Sequence, residues 1–378
     1  MTRVVVIGSG IAGASVAYHL AKAGSDVVVV DDARPGQATA AGAGIITPVG
    51  IQPVSAAKSE LMFAAVAHYV RLVEQFVEGG LAEHSYAATG ELIAARDNDE
   101  LRRLAEVTDR AGSLIREHGT AGVGSPELLD HSELRRRFPL LSTALGAVWL
   151  PEVARVDGRV VRDHLVTLGR RGGARFVEST GELVVVDSRV TGVRCAAGLF
   201  EADHVVVAAG AWSSALAGAT GFDPQVYPQR GQIVHLRLPG GGSDLPVVSV
   251  FGGIYLLSFP GDRIVIGATR EDHSGYAASV TAGGVDMLLR KAFGVVPRLS
   301  EAEWLEVRVG LRPASRDGEP LVGPAPGVEG LWLATGFGPQ GLTLAPYSGW
   351  LLARAILGES VEFPVPMAAT RLAAPVRS

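Results

Sequence analysis

The feature that most constrains this chain stands at its start. Val4-Val5-Val6-Ile7 is an uncharged β-branched run, and Gly8-Ser9-Gly10-Ile11-Ala12-Gly13 follows it directly. Such a run reads as a buried strand, the residues after the turn keep a helical pattern through Tyr18-His19-Leu20, and Gly24 marks the stop. A second β-branched run, Val27 to Val30, ends in Asp31, 18 positions after Gly13. Strand, G-x-G-x-x-G turn, helix, strand and acid in this order define a dinucleotide-binding unit, whose acid lies about 20 positions on and takes an adenosine ribose. Gly8 permits the turn, Gly10 lets the backbone approach a pyrophosphate, and Gly13 lets the helix pack on the strand. Ile11 and Ala12 open the helix, whose amino end faces the phosphate charge. A tight turn without a ligand would leave the placed acid unexplained. Asp31, with Asp32 beside it, repels a 2′-phosphate, which disfavours NADP and leaves NAD and FAD.

The glycine turn also splits the apolar start, so we read it as fold and not as a secretory leader. No uninterrupted apolar segment reaches the roughly 18 residues of a transmembrane helix. At 378 residues the chain exceeds what one core usually holds, so two packed domains are expected. Apolar residues at 47% against 19% charged describe a buried, folded chain. The net charge of −5 and the lack of a dense basic run argue against a nucleic-acid partner. Cys195 is the single cysteine, which excludes an internal disulfide and any cysteine-rich metal centre and fits a reducing cytoplasm. The histidines lack metal-ligand spacing. Lysine occurs only at Lys22, Lys58 and Lys291, so cationic work falls to arginine, whose fork suits carboxylates.

Three further segments carry small residues of the same kind. Thr39-Ala40-Ala41-Gly42-Ala43-Gly44-Ile45-Ile46 is a small-residue loop where a bulky side chain would block anything lying along the cofactor, clearance that a longer dinucleotide needs. His204-Val205-Val206-Val207-Ala208-Ala209-Gly210-Ala211-Trp212 is a buried strand ending in small residues, and Gly336 to Leu344 is a glycine turn leading into a helix. Gly231 to Leu238, Val247 to Ser258 and Arg263 to Ala268 read as β segments, and Val280 to Phe293 as an amphipathic helix. Glu60 to Val77, Leu101 to Glu117 and Ser132 to Phe138 read as further helices, the last two with solvated charged faces.

The GSGIAG turn, the AAGAGI loop, the VVVAAGAWS strand end and the C-terminal GLRPASRDGEPLVG and LATGFGPQGLTLAPYSGWLLA segments resemble the D-amino-acid oxidase superfamily, above all its glycine oxidase and bacterial D-amino-acid dehydrogenase branches. The likeness spans nearly the whole chain. It implies an α/β (α+β) fold, with a Rossmann-like FAD-binding domain of the glutathione-reductase type and a substrate domain whose antiparallel sheet roofs the flavin. Both are discontinuous: 1-84, 146-224 and 300-378 for FAD, 85-145 and 225-299 for substrate. It further implies an oxidoreductase acting on a D-amino acid, a glycine-like or a secondary amino acid, by hydride transfer to flavin N5 and hydrolysis of the resulting imine. The electron acceptor would be oxygen or a quinone or other carrier, and a homo-oligomer is compatible with the likeness. FAD would touch Leu183, Ala209, Gly210, Trp212 and the turn Gly338-Pro339-Gln340-Gly341-Leu342-Thr343, whose helix end would stabilise negative charge at the flavin N1/C2 edge. Non-covalent attachment is expected, because the C-terminal third carries no cysteine.

On this resemblance Arg312 grips the substrate carboxylate, although a structural pairing with Asp317 or Glu319 would also account for it. Tyr255 lies over the substrate, or is a core tyrosine. Arg270 stands where glycine oxidase has an apolar residue, and either adds a second cation favouring a carboxylate-rich substrate or pairs with Glu271 or Asp272. Pro339 replaces a glycine oxidase arginine, which disfavours glycine as substrate. Two other readings stay open: an NAD-dependent dehydrogenase, and a non-autonomous flavoprotein subunit of a heteromeric amine dehydrogenase.

Overall fold

The computed structural model describes residues 1–240, 245–364 and 366–372; residues 373–378 of the expected FAD segment and 241–244 of the expected substrate segment lie outside them. Six strands remote in sequence form one sheet in the order Leu321–Pro324, Leu331–Thr335, His204–Val207, Arg3–Ile7, Asp26–Asp31, Arg175–Glu178. The neighbours run parallel except the outer pair Leu321–Pro324 and Leu331–Thr335. Parallel strands need both faces covered, which is why the N-terminal run is apolar without alternation. Val4 and Val6 face a core formed with the helices Ile11–Lys22, Ala56–Glu78, Gly158–Arg171 and Gly341–Ile356. Val5 and Ile7 face the opposite layer, which includes Val190 and Val193 of a three-stranded antiparallel sheet.

The second large sheet has eight strands in the order Glu303–Ser315, Val226–Arg237, Arg263–Gly267, Ile254–Phe259, Val247–Val250, Glu91–Ala95, Gly146–Leu150, Glu127–Asp130. One face packs on the helix Ala282–Val295 through residues such as Val234, Leu256, Ile266 and Leu288. The other face carries Ile233, Val247, Leu257 and Val265 and meets Ala43 and Ile45 of the small-residue loop.

Three details differ from the sequence reading. The apolar stretch Val247 to Ser258 is two strands, because Gly252 and Gly253 at φ 89° and 84° turn the chain between them. Glu303–Ser315 lies in the segment assigned to FAD binding but pairs with Val226–Arg237 along its length, and Gly146–Leu150 likewise joins the large sheet. Gly146–Leu150 is apolar throughout, like the nucleotide-binding strands, so its sequence alone does not say which sheet it joins. No helix among the described residues is long and apolar enough to cross a membrane.

Candidate active site

A cavity of about 760 Å³ runs between the two sheets. At one end is the N-terminal turn. Gly8 holds φ 105°, and a side chain there would run into the Ala208 carbonyl of the neighbouring strand end. The Ser9 amide donates to Asp31 Oδ2 at 2.5 Å, while the Ala33 amide and Gln37 Nε2 donate to Oδ1 at 2.7 and 3.1 Å. The acid therefore ties the end of its strand to the turn while still facing the cavity. Asp32 pairs with Arg34 at 2.5 Å, and Arg34 lies 5.8 Å from the Trp212 ring centre.

The cavity continues past Gly10, Ile11, Ala12, Thr39, Gly42, Ala43, Gly44 and Ile45 to Ala209 and Gly210, and ends at the turn Gly338 to Thr343. Thr39 Oγ1 accepts from the Ile11 amide at 3.0 Å, and Thr343 Oγ1 donates to the Ile45 carbonyl at 3.1 Å. These bonds join the three sequence-remote segments. The small residues of the loop have a reason the sequence did not reveal: a side chain at Gly42 would come within 2.6 Å of Leu342 Cδ1, and one at Gly44 would strike the Val156 carbonyl. The loop is small because protein packs against it, as well as because it lines the cavity. Two expected contacts do not reach the wall. Gly13 lies under it, where a side chain would meet the Gly8 carbonyl, in keeping with its packing role. Leu183 turns into the core behind the cavity; Ser179, Thr180, Gly181 and Glu182 beside it form the wall.

Arg312, Tyr255 and Arg270 come together at the sheet side of the cavity. Tyr255 pairs with Gly267 across the strands, and Arg312 lies over Gly231; a side chain at either glycine would overlap the phenol or the guanidinium. Two missing side chains thus make a trough in the sheet in which the arginine and tyrosine rest. Arg312 Nη1 donates to the Thr269 and Arg230 carbonyls at 2.9 and 3.5 Å. No acid pairs with it among the described residues: Asp317 is bound to Arg371 at 2.7 Å and Glu319 to Lys58 at 3.1 Å. Arg270 is exposed at the rim and also lacks an acid, because Glu271 is taken by Arg230 at 2.6 Å and Asp272 accepts from Gln229 at 2.9 Å. Burial pulls the Arg312 guanidinium below its ordinary range and pushes the Tyr255 hydroxyl above its own, against the pull of Arg312 and Arg270.

Sequence reasoning missed one acid of the same wall. Glu91 is 4% exposed; Ser249 Oγ donates to its Oε1 at 2.6 Å, and its Oε2 has no partner. A lone charge in the apolar run Glu91-Leu92-Ile93-Ala94-Ala95 was the available signal. Burial raises its carboxyl to about 7 from 4.5, so the native state holds the proton that the unfolded chain has released. Its stabilising share is complete below about pH 4.5 and is lost as pH rises through 7. Denaturant midpoints of the wild type and Glu91→Gln should diverge over that window, the wild type losing about 3 kcal/mol relative to the variant. Parallel pH curves would contradict the assignment.

The family model of the FAD dependent oxidoreductases matches residues 3–355, and the chain belongs to that family. It is an FAD-dependent oxidoreductase, which decides between the two dinucleotides the first turn allowed. The iminodiacetate oxidase structure from Chelativorans sp. BNC1 superposes with a TM-score of 0.91 at 36% identity, over 97% of this chain and 100% of that one. The uncharacterized oxidoreductase YurR of Bacillus subtilis (strain 168) is 35% identical over 364 residues, 96% of each chain. Glycine oxidase of Geobacillus kaustophilus is 30% identical over 378 residues, 97% of this chain and 96% of its own. The cavity fits the group the family uses: it lies toward the upper end of ligand-pocket volumes, about 300–1,000 Å³, and its nucleotide end is lined by the bare backbone of Gly8 and Gly10 with the carboxylate of Asp31 beside it. Among the described residues no cluster of His, Cys, Asp or Glu could hold a metal.

Proposed function

We propose that this enzyme oxidises the C–N bond of an amino acid whose carboxylate is held by Arg312, with preference for substrates bearing a second carboxylate. The observation that carries this reading is a pair of cations, Arg312 and Arg270, that face one cavity with no acid of their own among the described residues. When bound, FAD supplies the acceptor for the hydride that leaves the carbon next to nitrogen. The nucleotide would lie along Gly8 to Gly13, Asp31 and the Thr39 to Ile45 loop. Its ring would lie by Gly338 to Thr343, where the amino end of the helix Gly341–Ile356 favours negative charge. The cofactor would be held non-covalently, since Cys195 sits in the antiparallel sheet Glu182–Val186, Arg189–Cys195, Gly198–Glu201 and off the cavity wall.

The residues divide the remaining work. Arg312, anchored through Nη1, keeps Nη2 for the substrate carboxylate and fixes the angle at which the reacting carbon is presented. Burial keeps the proton on Tyr255 Oη, so the phenol donates to the same carboxylate. The apolar lining of Ile254, Val250, Ala43 and Ile45 excludes water and strengthens both contacts. Arg270 at the rim meets a second carboxylate, as in a secondary amine of the iminodiacetate type. Replacing Arg270 by alanine should lower the kcat/KM ratio for iminodiacetate over N-methylglycine by about tenfold, the effect of one partly exposed ionic hydrogen bond. An unchanged ratio would remove the second-carboxylate preference.

A further inference from the structure

Among the described residues, Glu91 is the one acid that the eight-stranded sheet contributes to the cavity wall, and the proposed chemistry gives it no task. Strand register places it on the same face as the rest of the site. Tyr255 is the direct partner of Ser249 and of Gly267, Gly267 that of Ile233, and Glu91 pairs beside Val247, two residues before Ser249. These side chains therefore share the cavity face. No basic residue lies on the three strands that flank the carboxyl, Val247–Val250, Gly146–Leu150 and Glu91–Ala95 itself, and Ser249 is its one hydrogen-bond partner. A carboxyl this deeply buried is ordinarily met by a counter-charge or a full set of donors, and here one oxygen has neither. Above pH 7, where this carboxyl has released its proton, what the wall lacks at this point is a cation.

We propose that Glu91, oriented by Ser249, forms a distal subsite that binds an ammonium group at the end of the substrate remote from its Arg312-held carboxylate. The inference rests on the reading of Arg312 given above and deepens it. Sheet order sets the length of the ligand. Five strand intervals separate Arg312 from Glu91; Arg312 reaches back over Gly231 on the next strand, and Glu91 reaches Ser249 on its neighbour, which leaves three intervals. At about 4.8 Å each these span about 14 Å, and Gly231 lies two residues, about 7 Å, along its strand from Ile233, the residue in line with Ser249; the diagonal is about 16 Å, and subtracting about 3 Å for the hydrogen bond at each end leaves about 10 Å between carboxylate and ammonium. That is close to the extended length of 8-aminooctanoate. Tyr255, Ile254, Ala43 and Ile45 line the cavity and offer apolar contact to the methylenes between.

The test is equilibrium binding to the FAD-loaded enzyme, above pH 7 where Glu91 is ionised, of 8-aminooctanoate and of nonanoate, which replaces the ammonium by a methyl group. Neither carries an α-amine, so binding is read without turnover, from calorimetry or the change in flavin absorbance. The wild type should bind 8-aminooctanoate at least about tenfold more tightly than nonanoate, the effect of a single desolvated ionic hydrogen bond. Glu91→Gln should bring that ratio to within about twofold, and Ser249→Ala should lower it partway. Equal affinities in the wild type, or a ratio that survives Glu91→Gln in protein that still binds FAD, would overturn the subsite. If both probes bind alike while amino acids still bleach the flavin, the subsite falls and the proposed function stands. If no amino acid or amine bleaches it, both fall.

Discussion

Replacing Arg312 by alanine is expected to leave a yellow, folded protein whose kcat/KM for its amino-acid substrate is lower by about two to three orders of magnitude. Truncating one member of a buried ionic pair costs about 2–5 kcal/mol, about 1.5 to 3.5 orders of magnitude, which brackets that expectation. The guanidinium is seated in the sheet by two backbone carbonyls, so its removal leaves a space between Gly231 and Tyr255 and leaves the nucleotide end of the cavity untouched. Arg312→Lys should recover only a small part of the loss, because an ammonium cannot keep the Thr269 bond and offer a second donor at the same fixed angle. Stopped-flow reduction of the flavin under anaerobic conditions separates the step from reoxidation. Wild-type reduction rates and affinities in Arg312→Ala would take the residue out of the site.

Gly8→Ala should produce the other large effect, a protein purified with less than about a tenth of the wild-type FAD, since strained backbone costs about 1–3 kcal/mol before any clash is counted. Gly8 combines a φ of 105° with the Ala208 carbonyl where a Cβ would lie. The same backbone turn positions Ser9, whose amide is bonded to Asp31, so relieving the clash would move the acid and the helix start together. The absorbance ratio of flavin to protein, measured after incubation with excess FAD, reads the effect. Full FAD content would show that the turn tolerates a side chain.

Much of this was legible before any coordinates. The β-branched run, the glycine spacing and Asp31 identified the nucleotide unit because each element obeys a local rule: two-sided burial, positive φ, a fixed distance to the acid. The convergence of the Thr39, Ala209 and Gly338 segments was legible through resemblance, since nothing local says that residues so far apart share a cavity. Other features depended on through-space partners. Whether Arg312 and Arg270 were free turned on where Asp317, Glu319, Glu271 and Asp272 went, and all four are engaged by other residues. Leu183 was a neighbour of the wall and not a part of it, because alternate strand residues face opposite ways. Glu91 was overlooked because an acid next to four apolar residues reads as a strand edge until its strand is placed fifth from Arg312 in a buried sheet.

The most direct measurement is anaerobic titration of the FAD-loaded enzyme with a panel of D- and L-amino acids, N-alkylated amino acids and iminodiacetate, alongside the corresponding amines that lack a carboxylate. Bleaching by one or more of the carboxylate-bearing amines, none by their decarboxylated counterparts, and its loss in Arg312→Ala is the predicted result. A flavin that keeps its colour through the whole panel, or that bleaches equally well with amines having no carboxylate, would contradict it.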